Sequence, residues 1–153
     1  DAEPGEVFMV RNVANLVPPY EESQGYHGTA AAIEFAVLSL GVRDIVVCGH
    51  SHCGAIRALY SAPPEGARHM TKWLELAREA VLPVTESEDA LRRVEQRSVV
   101  LQLDHLLSYP MVRSRVGRSE LRMHGWHYHV GSGRVDVLEM TSGAFVPAER
   151  ATA

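Results

Sequence analysis

The chain has 153 residues, which fits one domain over residues 1–153 and leaves little room for a second. With 46% hydrophobic and 22% charged residues, the composition is that of a globular protein and excludes a disordered or fibrous one. The net charge of -4 gives no electrostatic footprint for nucleic acid or an anionic membrane, so we expect neither partner. The longest apolar stretch, residues 29–41, contains Glu34 and is shorter than the ~20 residues that span a bilayer. Two cysteines, Cys48 and Cys53, make no disulfide framework, which favours a reducing compartment such as the cytoplasm.

The first half of the chain alternates predicted strands and helices. Residues 7–10 form a short continuous apolar run, typical of a strand buried on both faces. Residues 29–40 are rich in alanine, with apolar residues spaced three and four apart, which predicts a buried helix ending at Gly41. Residues 44–48 repeat the pattern of a buried strand and stop at Gly49.

The second half is mostly helical until its end. Helices are predicted over residues 53–60 and 69–82, followed by a long helix that begins at a capping box of Thr85 and Glu88 and ends at Tyr109. Residues 121–130 and 134–140 flank a Gly-Ser-Gly turn, which predicts a hairpin. The sequence therefore predicts an α/β fold with a mainly parallel sheet flanked by helices and a C-terminal antiparallel hairpin. The apolar stripe of the long helix comprises Leu91, Val94, Ser98, Leu101 and His105, widened by Val99, Leu103 and Leu106.

Residues of metal-binding type follow the second predicted strand. His50 and Cys53 are three residues apart at a strand-to-helix turn, the position where ligands bind in α/β sheets. Both are standard zinc donors, and we expect Gly49 and Gly54 to let the backbone turn tightly around the ion. On spacing alone, a turn histidine beside a structural thiol remains an alternative.

The same segment lacks a complete ligand set. We expect Cys48 to be a small core residue and His52 to point towards solvent. A catalytic zinc site usually has three protein ligands and a water, and the chain contains no third cysteine.

Five segments, in order and spacing, resemble the β-class carbonic anhydrases, most closely their plant-type and cyanate-operon-type branch. The resemblance covers nearly the whole chain, and the loop VVCGHSHCGA is its metal-binding segment. The matching segments are FMVRNVANLVPPY at 8–20, AIEFAV at 32–37, VVCGHSHCGA at 46–55, QL, LSYP and VR within 102–113, and HGWHY at 124–128.

This resemblance implies a zinc-dependent reversible hydration of carbon dioxide to bicarbonate, in which zinc-bound hydroxide attacks the substrate and His50 and Cys53 are zinc ligands. The family also has a Cys-x-Asp-Ser-Arg loop that supplies another thiolate and an aspartate–arginine pair. That loop is expected before Asp1, together with the strand it follows. In the family's sheet this strand lies in space between the strands at residues 7–10 and 44–48. We therefore expect the chain to be an N-terminally truncated part of a longer protein, inactive by itself.

By the same resemblance, Phe8, Val13 and Phe35 line an apolar carbon dioxide pocket. Phe35 stands where the plant enzymes carry tyrosine, so it lacks a hydroxyl for proton relay. The Gly54 N–H, at a helix start, is expected to bond bicarbonate. Core packing of Phe8 and Val13 is the alternative.

A second bicarbonate position is implied for Arg11 and Tyr128, which in regulated relatives hold an inhibitory bicarbonate; a structural ion pair is the alternative for Arg11. His124, His127 and His129 form a cluster in the hairpin. We interpret these histidines as solvated or structural rather than as metal ligands.

The family implies a homodimer or a dimer-of-dimers tetramer, with carbon dioxide and bicarbonate as ligands. A cytoplasmic location is expected, while a plastid or a bacterial microcompartment is not excluded. Two other functions stay open: a non-catalytic scaffold or binding subunit on the same fold, and a carbonyl sulfide or carbon disulfide hydrolase.

Overall fold

The computed structural model describes residues 2–22 and 25–150. Its centre is one sheet, whose four strands follow one another in space as in the chain: β1 (Asp44–His50), β2 (Arg122–Tyr128), β3 (Val135–Glu139) and β4 (Ala144–Pro147). β1 and β2 are parallel, whereas β2–β3 and β3–β4 are antiparallel. The α/β class and the C-terminal hairpin are therefore confirmed, and β4 is an additional strand that the sequence did not predict.

Helices flank the sheet, and several are shorter than predicted. The predicted helices at 29–40, 53–60 and 69–82 each begin as an α-helix and continue as a π or 3-10 turn. Pro110 does not only end the long helix; it occupies the first turn of another helix, where its missing N–H costs nothing. The α-helices are α1 (Gly28–Glu34), α2 (Gly54–Arg57), α3 (Arg68–Leu74), α4 (Glu88–Leu107) and α5 (Pro110–Gly117).

The predicted strand at residues 7–10 is wrong. This segment has no regular secondary structure, and its side chains are exposed, with Met9 at 71%. A strand needs a hydrogen-bonded neighbour, and within the described residues the outer edge of β1 has none. Apolar composition alone could not supply that partner.

The predicted cap of α4 is displaced by two residues. Ser87, not Thr85, is the N-cap, and its hydroxyl accepts the N–H of Ala90 at 3.1 Å. Glu88 and Asp89 then lie in the first helical turn, where their charges are favourable to the helix dipole.

α4 lies close against the sheet because two strands present glycine to it. A Cβ at Gly49 would be 2.7 Å from Val99 Cγ2, and one at Gly125 would be 3.0 Å from Val99 Cγ1. Gly49 is within β1 and has no positive φ, so its expected role in a tight turn is wrong. Its missing side chain instead makes room for α4.

The segment before α1 is fastened to α4 by buried polar groups. Gln102 accepts the N–H of Val17 at 2.8 Å, and His105 Nδ1 donates to the Val17 carbonyl at 2.7 Å. The Tyr109 hydroxyl donates to the Pro18 carbonyl at 2.9 Å. These contacts fix the course of residues 16–20 across the core.

The sheet face opposite α4 is exposed and apolar. Cys48 alternates with the buried Val47 and Gly49, so it lies on this face, and its predicted core position is wrong. Its partner in the parallel register, Trp126, is also exposed, as is Tyr128. Partial burial still raises the pKa of the Cys48 thiol. No helix within the described ranges is long and apolar enough to cross a membrane.

Candidate metal centre

The two proposed zinc ligands flank a tight turn at the carboxyl end of β1. His50 is the last residue of β1 and is exposed, whereas Cys53 is the buried N-cap of α2. Between them, His52 has a φ of 59°, in the left-handed region that non-glycine residues rarely adopt. Ser51 holds the turn against the end of β2, since its N–H donates to the Tyr128 carbonyl at 2.9 Å.

The hydrogen bond of His50 defines which ring nitrogen can bind a metal. Nδ1 lies 3.0 Å from the carbonyl oxygen of Ser51. A carbonyl only accepts, so Nδ1 carries the proton and Nε2 keeps its lone pair. A carbonyl on the far nitrogen is the usual partner of a metal-binding histidine.

Cys53 is positioned by a buried carboxylate. Its main-chain N–H donates to Glu95 Oε1 at 2.9 Å, and Glu95 Oε2 lies 3.0 Å from His127 Nε2. Glu95 is 3% exposed and His127 is completely buried. Glu95 was not among the residues predicted from the sequence; the available signal was a carboxylate within the apolar stripe of α4, where an unpaired charge is costly.

An imidazole nitrogen and a thiolate are both donors that zinc prefers, so His50 and Cys53 fit two positions of a zinc site. The only group of three or more potential ligands within residues 2–22 and 25–150 lies elsewhere, in the hairpin. The donor set at this turn is therefore incomplete in the described part of the chain.

His52 is exposed, as expected. Its side chain is 67% accessible and its Nδ1 lies 3.3 Å from Glu88 Oε2. Glu88 also pairs with Arg57 at 3.3 Å. His52 is thus part of a surface ion-pair network.

The residues expected to line the substrate pocket lie at the surface. The rings of Phe8 and Phe35 are in contact, with centroids 5.7 Å apart, and each is about half exposed. Val13 is also exposed, and its carbonyl accepts the Trp73 Nε1–H at 2.9 Å. The alternative that Phe8 and Val13 are ordinary core residues is therefore wrong for the described structure.

The remaining predicted site residues are Gly54, Arg11 and Tyr128. Gly54 begins α2, and a Cβ built on it would meet nothing within 4 Å. Arg11 is exposed and Tyr128 is 38% exposed. Their predicted role in bicarbonate regulation stays a prediction.

The hairpin histidines have three different environments. His124 Nε2 lies 2.8 Å from Asp44, and Arg122 donates twice to the same carboxylate. Arg122 first, and His124 second, hold the pKa of Asp44 below its usual value. His127 is buried against Glu95 and is therefore structural rather than solvated, while His129 lies 2.7 Å from Asp136.

Comparison with known proteins agrees with this geometry. Residues 1–135 match the carbonic anhydrase protein family. A carbonic anhydrase of Pseudomonas aeruginosa is 40% identical over 150 residues, covering 94% of this chain and 67% of that protein. The β-carbonic anhydrase CcaA has a TM-score of 0.86 at 35% identity, over 95% of this chain and 73% of its own. For one of two tetrameric β-carbonic anhydrases of Sordaria macrospora the TM-score is 0.77 at 31% identity, over 89% and 70% of the two chains.

The matched relatives are longer than this chain. It spans 53% of a carbonic anhydrase of Synechococcus elongatus and 51% of one of Synechocystis, at 38% and 37% identity over 90% and 88% of its own length.

Proposed function

The chain belongs to the β-class carbonic anhydrase family, and from this premise we propose that the protein containing it catalyses the reversible hydration of carbon dioxide to bicarbonate. His50 and Cys53 would hold zinc, together with a thiolate from outside the chain. The observation that carries this proposal is the turn after β1, where His50 keeps Nε2 free and Glu95 fixes the main chain of Cys53.

When bound, zinc supplies the Lewis acidity that makes water acidic near neutral pH. The residues of this chain perform the other tasks. The Ser51 carbonyl holds the ring of His50, and the contact of Phe8 with Phe35 offers an apolar surface to carbon dioxide, which has no dipole. The Gly54 N–H would donate to bicarbonate, and an aspartate–arginine pair is expected upstream by resemblance.

We infer that the protein is a homodimer or a tetramer and that a second copy covers the exposed sheet face of Val46, Cys48, Trp126 and Tyr128. Isolated surface apolar residues are ordinary, but a contiguous apolar patch marks an interaction surface. The tetrameric enzymes of Sordaria macrospora support this assembly. Trp126→Asp should shift the sedimentation coefficient towards the monomer, whereas Met140→Asp, at an apolar residue that follows β3 and is more exposed than Trp126, should leave it unchanged. A Trp126→Asp protein that sediments like the wild type would disprove this interface.

The two alternative functions are not favoured. The relatives reported above are carbonic anhydrases, and none of them is a non-catalytic scaffold or a carbonyl sulfide or carbon disulfide hydrolase. The cellular location stays a prediction.

The zinc assignment is tested by two pairs of variants in the longer protein. His50→Ala and Cys53→Ser should each lower the zinc content by one ion per chain, measured by elemental analysis, and should abolish carbon dioxide hydration. The controls are His52→Ala and Cys48→Ser, which change the same residue types within a few residues of the proposed ligands. They should retain both the zinc bound at this turn and carbon dioxide hydration. Activity retained in His50→Ala or Cys53→Ser would show the ligand assignment to be wrong.

A further inference from the structure

We propose that His127, His129 and Asp136 form a second metal site, for a divalent transition-metal ion such as zinc, in the β2–β3 hairpin. Each residue offers one ligand atom, and these atoms all lie within 4.8 Å of one another. The proposal concerns a different donor set from His50 and Cys53 and does not rest on the proposed function.

The hairpin register places the three side chains together. His127 is the cross-strand partner of Asp136, so their side chains lie on the same face of the sheet. His129 follows His127 by two residues, and its N–H donates to the Arg134 carbonyl at 2.8 Å, which continues the hairpin beyond β2. Strand geometry returns its side chain to the same face. The rings of His127 and His129 are 4.9 Å apart.

His127 presents a buried nitrogen that has no partner. Its Nε2 is bonded to Glu95 Oε2, and the other oxygen of Glu95 accepts from Cys53, so we assign an ionised carboxylate and a proton on His127 Nε2. Nδ1 then carries a lone pair. It is completely buried and has no hydrogen-bond partner. An imidazole whose other nitrogen donates to a carboxylate is the common arrangement around bound metals.

Asp136 contributes a buried carboxylate, one oxygen of which accepts no hydrogen bond. It is 8% exposed, and while Oδ2 lies 2.7 Å from His129 Nε2, Oδ1 has no hydrogen-bond partner. The nearest cation, Arg134, has its Nε 3.5 Å from Oδ1 and is half exposed. Unsatisfied buried atoms are rare in folded proteins and call for a ligand or a water. One ion held by the two histidines and Asp136 would give His127 Nδ1 the partner that it lacks.

The distances permit an ion after a small contraction. Metal–ligand bonds of about 2.0–2.1 Å in a tetrahedron bring ligand atoms to about 3.3 Å from one another. Because the ligand atoms all lie within 4.8 Å of one another, each separation must close by at most about 1.5 Å. The ion would replace the proton now shared by His129 and Asp136.

The donor set indicates the class of metal and its route. Two imidazoles and one carboxylate suit zinc, cobalt or nickel, whereas calcium and magnesium prefer oxygen ligands alone. An open cleft of about 460 Å³ borders His129, and its other walls include Arg134, Ser51 and Glu95. An incoming ion would approach the donor set from the side of His129.

The competing explanation is that His127 is an imidazolium paired with Glu95, in which case Nδ1 is an unpaired donor and no ion binds. Equilibrium dialysis of the longer protein against cobalt(II) separates the two explanations. The wild type should bind one more ion per chain than His129→Gln and Asp136→Asn. Both substitutions keep side-chain size, and circular dichroism checks the fold. His124→Gln, on the same strand but bonded to Asp44, should bind as the wild type does.

The Cys53→Ser variant separates this site from the zinc turn. It should keep the hairpin ion, with a cobalt spectrum free of thiolate charge transfer and lost on adding His129→Gln. Equal ion counts in the wild type, His129→Gln and Asp136→Asn would overturn the proposal, whatever the count at the zinc turn.

Discussion

Glu95, in the middle of α4, accepts the main-chain N–H of Cys53 at 2.9 Å across 42 residues of chain. Its second oxygen lies 3.0 Å from His127 on β2. One buried carboxylate therefore joins a helix, a strand and the turn that carries the proposed zinc ligands. Because its two oxygens are both occupied, it restricts the turn more than either contact would alone.

Glu95→Ala should reduce both stability and metal binding. Removing one partner of a buried pair costs about 3–5 kcal/mol, and loss of a group that supports a ligand typically weakens zinc binding about 10–100-fold. Glu95→Gln keeps an acceptor for Cys53 and should retain most of the zinc affinity, although its amide cannot replace the charge facing His127. Denaturant unfolding and competition with a zinc chelator measure the two effects.

The matched control for this prediction is Glu88→Gln, on the exposed first turn of the same helix. Its ion pairs with His52 and Arg57 are at the surface, where such pairs contribute about 0–1 kcal/mol. A Glu95→Ala protein as stable and as zinc-avid as Glu88→Gln would show that the buried carboxylate does not position the turn.

The sequence predicted elements whose pattern is local. Three such elements were predicted: the strand at 44–48, the hairpin around the Gly-Ser-Gly turn and the long helix. Their hydrophobic periodicity and turn residues depend only on residues that are close in sequence. Residues 7–10 have the composition of a strand, but strand formation depends on a neighbour that no local pattern specifies. The predicted core position of Cys48 was wrong for a related reason. A continuous apolar run predicts a strand but does not show which face of that strand is covered by the rest of the protein.

The residues of the candidate site also divide into those that a local pattern predicts and those that only the folded chain brings together. His50 and Cys53 were found because two donor types at short spacing follow a strand. Glu95 was missed because its partners, Cys53 and His127, are distant in sequence and meet only in the folded chain. The cluster of His127 and His129 was noticed, but Asp136 joins it through the hairpin register, which fixes the third ligand only once pairing is known.

Gly125→Ala should destabilise the fold through Val99. The new methyl group would lie 3.0 Å from Val99 Cγ1 and 3.2 Å from Leu138 Cβ, so these side chains must shift by a few tenths of an ångström. Overpacking of this kind costs about 1–3 kcal/mol. In a Val99→Ala background the cost should fall, and a double-mutant cycle of unfolding free energies measures the coupling.

Gly131→Ala is the control, since nothing lies within 4 Å of its Cβ position, and its effect should stay within about 0.5 kcal/mol. Additive costs for Gly125→Ala and Val99→Ala would contradict the close approach of helix and strand.

Phe35→Tyr should change carbon dioxide hydration only modestly in the longer protein. Phe35 is about half exposed beside Phe8, so an added hydroxyl can reach water without disrupting the ring contact. We expect kcat/KM to change by less than about 10-fold, because the substitution keeps the aromatic ring that forms the apolar wall and adds one hydroxyl at its rim. Phe35→Ala removes the wall itself and should lower kcat/KM further. Stopped-flow hydration assays measure both, and a loss beyond about 10²-fold in Phe35→Tyr would contradict the apolar-wall assignment.

Tyr109 should make the protein less stable at high pH. Burial, with smaller contributions from Glu34 and Glu21, raises the pKa of Tyr109 to about 12, whereas an unfolded tyrosine has a pKa of about 10. Between these values the unfolded chain releases a proton that the folded chain keeps. Unfolding therefore becomes more favourable as the pH rises, and the contribution is intact below about pH 10.

Tyr109→Phe separates this effect from other alkaline titrations. At neutral pH the variant should lose about 0.5–1.5 kcal/mol, because the hydroxyl no longer donates to the Pro18 carbonyl. Its unfolding free energy should then fall less steeply than that of the wild type between about pH 10 and pH 12. Tyr26→Phe, at a fully exposed tyrosine, should have the same unfolding free energy as the wild type at neutral pH and the same slope between about pH 10 and pH 12. Parallel pH profiles for the wild type and Tyr109→Phe would mean that Tyr109 ionises at an ordinary pKa and that its burial does not oppose the charge.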